Sequence, residues 1–315
     1  MEKSIVQTGA GPVTVHRTPG DGGAPGSRTA TLLLHGAAGS WTTWAPMIAA
    51  TAAAEGGVPP DLLIPDLPGW GDSPADPGSL DAGVLARATA EVARAFGYER
   101  WRVAGHSLGG FVALELAAAE PSATEDVVLV SATTFGGRAD TLGLGRLLAA
   151  YSPLLLLNAG MRALAAWGSF GMRLVRVLDR TGLLGRLTAP LFARAVPGVV
   201  HELARDLRPA AFVRAVACAS VYPAVERWSR IRCGVVAVRG SRDVFVPASD
   251  DGRLAAIIPG LRTIVVPGTG HFAHVEHPSL LARLCLPDGG GAGGGGADAG
   301  AGSRRASEVP ASVGA

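Results

Sequence analysis

Short apolar runs bounded by turn residues alternate with stretches of helical period along much of the chain. Val13–Arg17 alternates apolar and polar positions, as an early antiparallel strand does. Thr29–Leu34 is a continuous apolar run, the pattern of a strand buried on both faces. Asp61–Ile64 is a second such run and leads into a loop rich in Pro and Gly. Leu80–Phe96 reads as a helix that closes at Gly97, Trp101–Ala104 as a short strand, and Leu108–Ala119 as a helix ending before Pro121. Val127–Val130 is the next strand. From about Phe135 to Tyr222 the period is helical, broken by several Gly and Pro, with no strand pattern. Strands resume at Val235–Val238 and Thr263–Val266, and Pro278–Leu284 forms a last helix. Strands alternating with helices in this way predict a sheet with parallel strands covered by helices.

Composition refines this picture. With 48% hydrophobic and 17% charged residues over 315 positions, the chain can bury a large core. Residues 287–315 are the exception. They are mostly Gly, Ala and Ser, so burial cannot offset their ordering entropy, and a disordered tail is expected. A net charge of +2 argues against an electrostatic nucleic-acid binder. Cys218, Cys233 and Cys285 are odd in number and widely spaced, which favours reduced thiols over disulfides or zinc. Met1 to Pro12 lacks the basic start and apolar run of a signal peptide, so a cytoplasmic location is expected.

Gly105-His106-Ser107-Leu108-Gly109 matches the pattern G-x-S-x-G. In a chain with 44 glycines the string alone is weak, and its position carries the weight. The serine follows the strand Trp101–Ala104 at once, and a helix begins directly after it. Such a turn strains the serine backbone, raises its hydroxyl above the sheet and aims the Leu108 amide at the same space. A serine hydroxyl needs a base to attack. Asp243 comes directly after the strand Val235–Val238, and His271 directly after Thr263–Val266. The order is Ser, Asp, His, each delivered by a strand end on one side of the sheet. Ser107 is therefore the candidate nucleophile, His271 the general base and Asp243 the acid that orients it. The loop His35–Gly39 follows the strand Thr29–Leu34, where the backbone amide of Ala37 can join that of Leu108 in an oxyanion hole.

These segments resemble the α/β-hydrolase superfamily, specifically its single-domain members with a helical cap. The resemblance rests on His35–Gly39, Asp66-Leu67-Pro68-Gly69-Trp70-Gly71-Asp72-Ser73, Gly105–Gly110, Gly240–Asp243, and Gly270-His271 with Glu276 and Pro278. It implies an α/β fold with a mostly parallel eight-stranded sheet, flanking helices and a helical cap. Residues 1–134 and 223–286 would then form the core and 135–222 the cap. The Asp66–Ser73 loop would brace the site without taking part in the chemistry. Haloalkane dehalogenases and epoxide hydrolases resemble the same motifs but carry aspartate as nucleophile. Serine at this position points instead to an acyl-enzyme formed from an ester or a related acyl bond.

No cofactor or metal is expected, since His106, His274 and His277 lack an acidic partner at ligand spacing. They read as structural or pocket-lining. The expected substrate is a small or medium apolar ester. Hydrolysis of a carbon–carbon bond in a vinylogous diketone, acyl transfer, or a non-catalytic binding role are the competing readings. Leu147–Met161 carries no charge, and fifteen residues are too few to span a bilayer, which takes about 20. It suits the lining of a lipophilic pocket, an ordinary cap core, or weak contact with a membrane surface helped by Arg146, Arg162, Arg173 and Arg176.

Overall fold

The computed structural model describes residues 1–20, 28–74, 80–135, 144–194 and 196–287. Its elements in chain order are β1 Glu2–Thr8, β2 Gly11–Arg17, β3 Thr29–Leu34, α1 Ala45–Glu55, β4 Leu62–Pro65, α2 Ala82–Ala95, β5 Arg100–His106, α3 Leu108–Ala119 and β6 Thr124–Val130. Six helices follow: α4 Leu144–Trp167, α5 Ser169–Arg180, α6 Leu183–Thr188, α7 Pro197–Asp206, α8 Pro209–Ser220 and α9 Ala224–Trp228. The chain closes with β7 Gly234–Gly240, α10 Ser249–Ile257, β8 Arg262–Val266, α11 Ala273–Glu276 and α12 Pro278–Cys285. The Gly- and Ala-rich tail lies, from residue 288, outside the described residues.

The eight strands form one sheet in the order β1-β2-β4-β3-β5-β6-β7-β8. Only β2 runs against its neighbours; every pair from β4 to β8 is parallel. This is the mostly parallel α/β-hydrolase sheet that the motif set implied. The apolar runs read as strands because their side chains alternate into two cores. Leu32 and Leu34 join α2 and α3 on one face, whereas Leu33 joins Met47 and Ile48 of α1 and Leu281 of α12 on the other. Helix α3 is buried from Leu108 to Ala118, with Glu115 its one charged side chain, as a largely apolar helix between the sheet and other helices must be. Asp81 caps α2 by accepting a hydrogen bond from the Val84 amide at 3.0 Å.

Several elements escaped the pattern, β1, α1, α10 and α11 among them. Strand β1 is exposed at most positions, so it carries no apolar alternation. Helix α1 is rich in Ala, whose small side chain marks neither face. The six helices α4 to α9 between β6 and β7 return to the core through a buried ion pair. Glu115 of α3, almost fully buried, accepts hydrogen bonds from Arg227 of α9 and from Tyr222 just before it.

Under the carboxyl end of the sheet, His106 and His274 are packed ring to ring, with centroids 4.5 Å apart. Trp44 covers His274 at 4.4 Å. Burial, and then the neighbouring His271, push His274 down to about 3. Burial, followed by His274 and His271, holds His106 well below the ordinary imidazole value. Both rings are therefore neutral in the native state, while the unfolded chain takes up protons below about pH 6.5. Stability is full above that pH and declines as pH falls below it, by up to about 1.4 kcal/mol per pH unit for each ring. Denaturant unfolding followed between about pH 6.5 and about pH 5 should show this decline, and His274→Gln should flatten it. Equal slopes in variant and wild type would contradict the packing account.

Candidate active site

The turn between β5 and α3 holds Ser107 at φ 52°, ψ −115°, a left-handed conformation that disfavours any residue with a Cβ. Close backbone contact keeps it there. A Cβ on Gly105 would lie 2.3 Å from the Gly109 carbonyl oxygen, and one on Gly109 would lie 2.2 Å from that of Leu34. Only glycine fits at either position. The Ser107 amide donates to the Val130 carbonyl at 3.0 Å, and its own carbonyl accepts from the Gly110 amide at 3.1 Å. The serine is thus fastened to β6 on one side and starts the helix on the other.

Asp243 and His271 come from the loops after β7 and β8. These loops are laced together: the Arg242 amide donates to the Thr269 carbonyl, and the Gly268 amide to the Ser241 hydroxyl, both at 2.9 Å. His271 Nδ1 lies 3.0 Å from each carboxylate oxygen of Asp243. The same carboxylate accepts from the amides of Phe245 at 2.9 Å and Val246 at 3.2 Å. Burial raises the Asp243 carboxyl, but His271 and the Phe245 amide outweigh it and hold it below the usual carboxylate range. An ionised carboxylate fixes the Nδ1–H tautomer and leaves Nε2 as the basic nitrogen. His106 also acts on this loop, its Nε2 lying 3.1 Å from the His271 carbonyl oxygen.

Ala37 and Leu108 line the same cavity as Ser107 and His271. The Ala37 loop touches the serine: a Cβ on Gly36 would lie 3.1 Å from Ser107 Cβ and 2.8 Å from His106 Nδ1. His35 stays inside the loop. Its Nε2 accepts from the Leu67 amide at 3.0 Å, so Nδ1 carries the proton and donates to the Gly36 carbonyl at 2.9 Å. Trp70 donates its indole N–H to the Ala37 carbonyl at 2.6 Å. Asp66 accepts from the amides of Trp41 and Asp72. The Asp66–Ser73 segment therefore supports the Ala37 loop from behind, and neither Asp66 nor Asp72 lines the cavity.

Glu276 belongs to the motif that follows His271, but its partners could not be read from the sequence. It is almost fully buried, and its carboxylate accepts from the Gly270 amide at 2.9 Å and from the Ala193 amide at 3.0 Å. The His271 amide donates to the Leu191 carbonyl at 2.8 Å, and Phe192 stacks on Phe272 at 4.8 Å. Residues 191–193 of the helical insert are in this way fastened to the loop that carries His271.

The cavity has a volume of about 670 Å³. Leu157, Met161, Leu164, Val175, Leu203 and Phe212 supply much of its wall, and no charged side chain belongs to it among the described residues. In size and character it suits a small or medium apolar molecule. No group of His, Cys, Asp and Glu among the described residues is arranged to hold a metal ion.

Comparison with known proteins identifies the family of the chain. The chain is 24% identical over 256 residues to a putative carbamate hydrolase of Pseudomonas savastanoi, covering 81% of this chain and 91% of the relative. It is 27% identical over 268 residues to a 2-hydroxy-6-oxo-6-phenylhexa-2,4-dienoate hydrolase of Burkholderia cepacia, covering 83% and 87%. Among solved structures, an esterase from Exiguobacterium antarcticum superposes with a TM-score of 0.67 at 17% identity, over 90% of this chain and 97% of that one. Residues 31–284 match the model of the alpha/beta hydrolase family. This chain belongs to the alpha/beta hydrolase family.

Proposed function

We propose that this hydrolase cleaves a carboxylic ester of a small or medium apolar substrate through an acyl-enzyme on Ser107. The observation that carries the reading is an uncharged, leucine-rich cavity with Ser107 and His271 in its wall. His271 takes the Ser107 proton as the hydroxyl attacks the ester carbonyl, and Asp243 stabilises the resulting imidazolium. The Ala37 and Leu108 amides receive the oxyanion, a contribution of about 3 kcal/mol for each well-placed donor. His271 then protonates the departing alcohol, and water attacks the acyl carbonyl by the same route in reverse. Carbon–carbon hydrolysis is the second reading, favoured by the dienoate-hydrolase relative. A dienoate carries a carboxylate, and no arginine or lysine among the described residues lines this cavity to receive one. That balance supports the ester.

Aryl esters of increasing acyl length test the assignment. Each added methylene that enters the cavity should raise kcat/KM by about fourfold until the cavity is filled. Ser107→Ala should lose about 10⁴-fold or more in kcat. A preference for acetate would contradict the apolar acyl site, and full activity in Ser107→Ala would contradict the nucleophile.

Glu276 acts in this scheme as a positioning residue for His271. Glu276→Ala leaves the Gly270 and Ala193 amides without their acceptor, so kcat should fall about tenfold with KM little changed. A lower melting temperature with unchanged kcat would reduce Glu276 to a structural role.

A further inference from the structure

The outer surface of helices α4 to α6 departs from the rest of the molecule. Of the twelve large apolar side chains exposed among the described residues, seven lie between 155 and 187. Leu156 is 75% exposed and Leu187 61%, and both also line the cavity that contains Ser107. The rim of the cavity is therefore part of this apolar surface. Beyond the rim, Trp167 packs edge-on against Phe170, and Phe170 is itself 63% exposed. Phe170, Arg173 and Val177 follow at helical spacing along the exposed side of α5, with Arg176 and Arg180 beside them.

Charge is distributed just as unevenly. Residues 144–188 contain six arginines and one carboxylate, Asp179. That carboxylate is 2.7 Å from His201 Nδ1. The segment thus carries an excess of five positive charges within a protein of net charge +2. Arginines flanking exposed Trp, Phe and Leu are the pattern of a helix that lies in a headgroup layer. A second copy of the chain is a poor occupant, because the same face would bring like charges together. No described helix is long and apolar enough to cross a membrane, so contact would be confined to the surface.

We propose that the α4–α6 face docks on the surface of an anionic phospholipid bilayer, with the rim at Leu156 and Leu187 turned toward the lipid. Aromatic side chains enter the headgroup region and the arginines meet the lipid phosphates. An ester dissolved in the bilayer then reaches the cavity without crossing water. This last consequence rests on the ester-hydrolase reading, whereas the docking itself does not.

Co-sedimentation of the full chain with vesicles tests the docking. Vesicles of phosphatidylcholine containing phosphatidylglycerol should bring the protein down at low salt. High salt, or phosphatidylcholine alone, should leave most of it in solution. The double substitution Trp167→Ser, Phe170→Ser should weaken binding about tenfold or more. Arg173→Gln with Arg180→Gln should weaken it by about fivefold for each arginine removed. Both double variants should hydrolyse a soluble butyrate ester at the wild-type rate, which establishes that they are folded. The proposal is overturned by failure to sediment with any vesicle at low salt, or by variants that bind like wild type. It is equally overturned by sedimentation equilibrium showing a dimer that Trp167→Ser, Phe170→Ser disperses. Vesicle binding without turnover of any ester would leave the docking standing and remove the ester reading instead.

Discussion

The backbone of β5 meets the first turn of α3 with no room for a side chain, and that close contact governs the site. Gly105 and Gly109 could not carry a methyl group without striking a carbonyl oxygen. Ser107, caught between them, takes a positive φ that it would not adopt alone. The strain is held by backbone hydrogen bonds between Ser107 and Val130, Gly110, Phe111 and Thr133, and by the burial of α3. Ser107 lines the cavity because the chain cannot turn otherwise there.

The remaining site parts are set by hydrogen bonds between loops at the carboxyl end of the sheet. The Asp243 and His271 loops share two such bonds, and the Ala37 loop is propped by His35 and Trp70. Neutral His106 and His274 fill the space beneath without adding charge. Glu276 then joins this platform to residues 191–193. A helical insert fastened so close to the proposed base can set both which acyl groups enter and how His271 sits.

Much of this was legible in the sequence, for identifiable reasons. Strands buried on both faces stand out as continuous apolar runs, so β3 appeared with its observed bounds, β5 by its middle residues and β6 by its carboxyl-terminal half. Ser107, Asp243 and His271 could be picked out because glycine-rich turns follow strand ends there. What stayed hidden was written in backbone rather than side-chain pattern. The partners of Glu276 are two amides, which have no residue identity, and Leu191 contributes only a carbonyl. Strand β1 and the Ala-rich helix α1 present no one-sided apolar stripe to find. The exposed apolar character of Leu156, Trp167 and Phe170 was equally invisible, since a leucine on a helix looks the same whether it faces a core or water.

The proposed chemistry requires that Ser107 be acylated during turnover. Acid quenching during hydrolysis of an aryl butyrate, followed by peptide mass spectrometry, measures this directly. A butyryl adduct is expected on the peptide that contains Ser107, and none in Ser107→Ala. Turnover without an adduct, or an adduct on another residue, would contradict it.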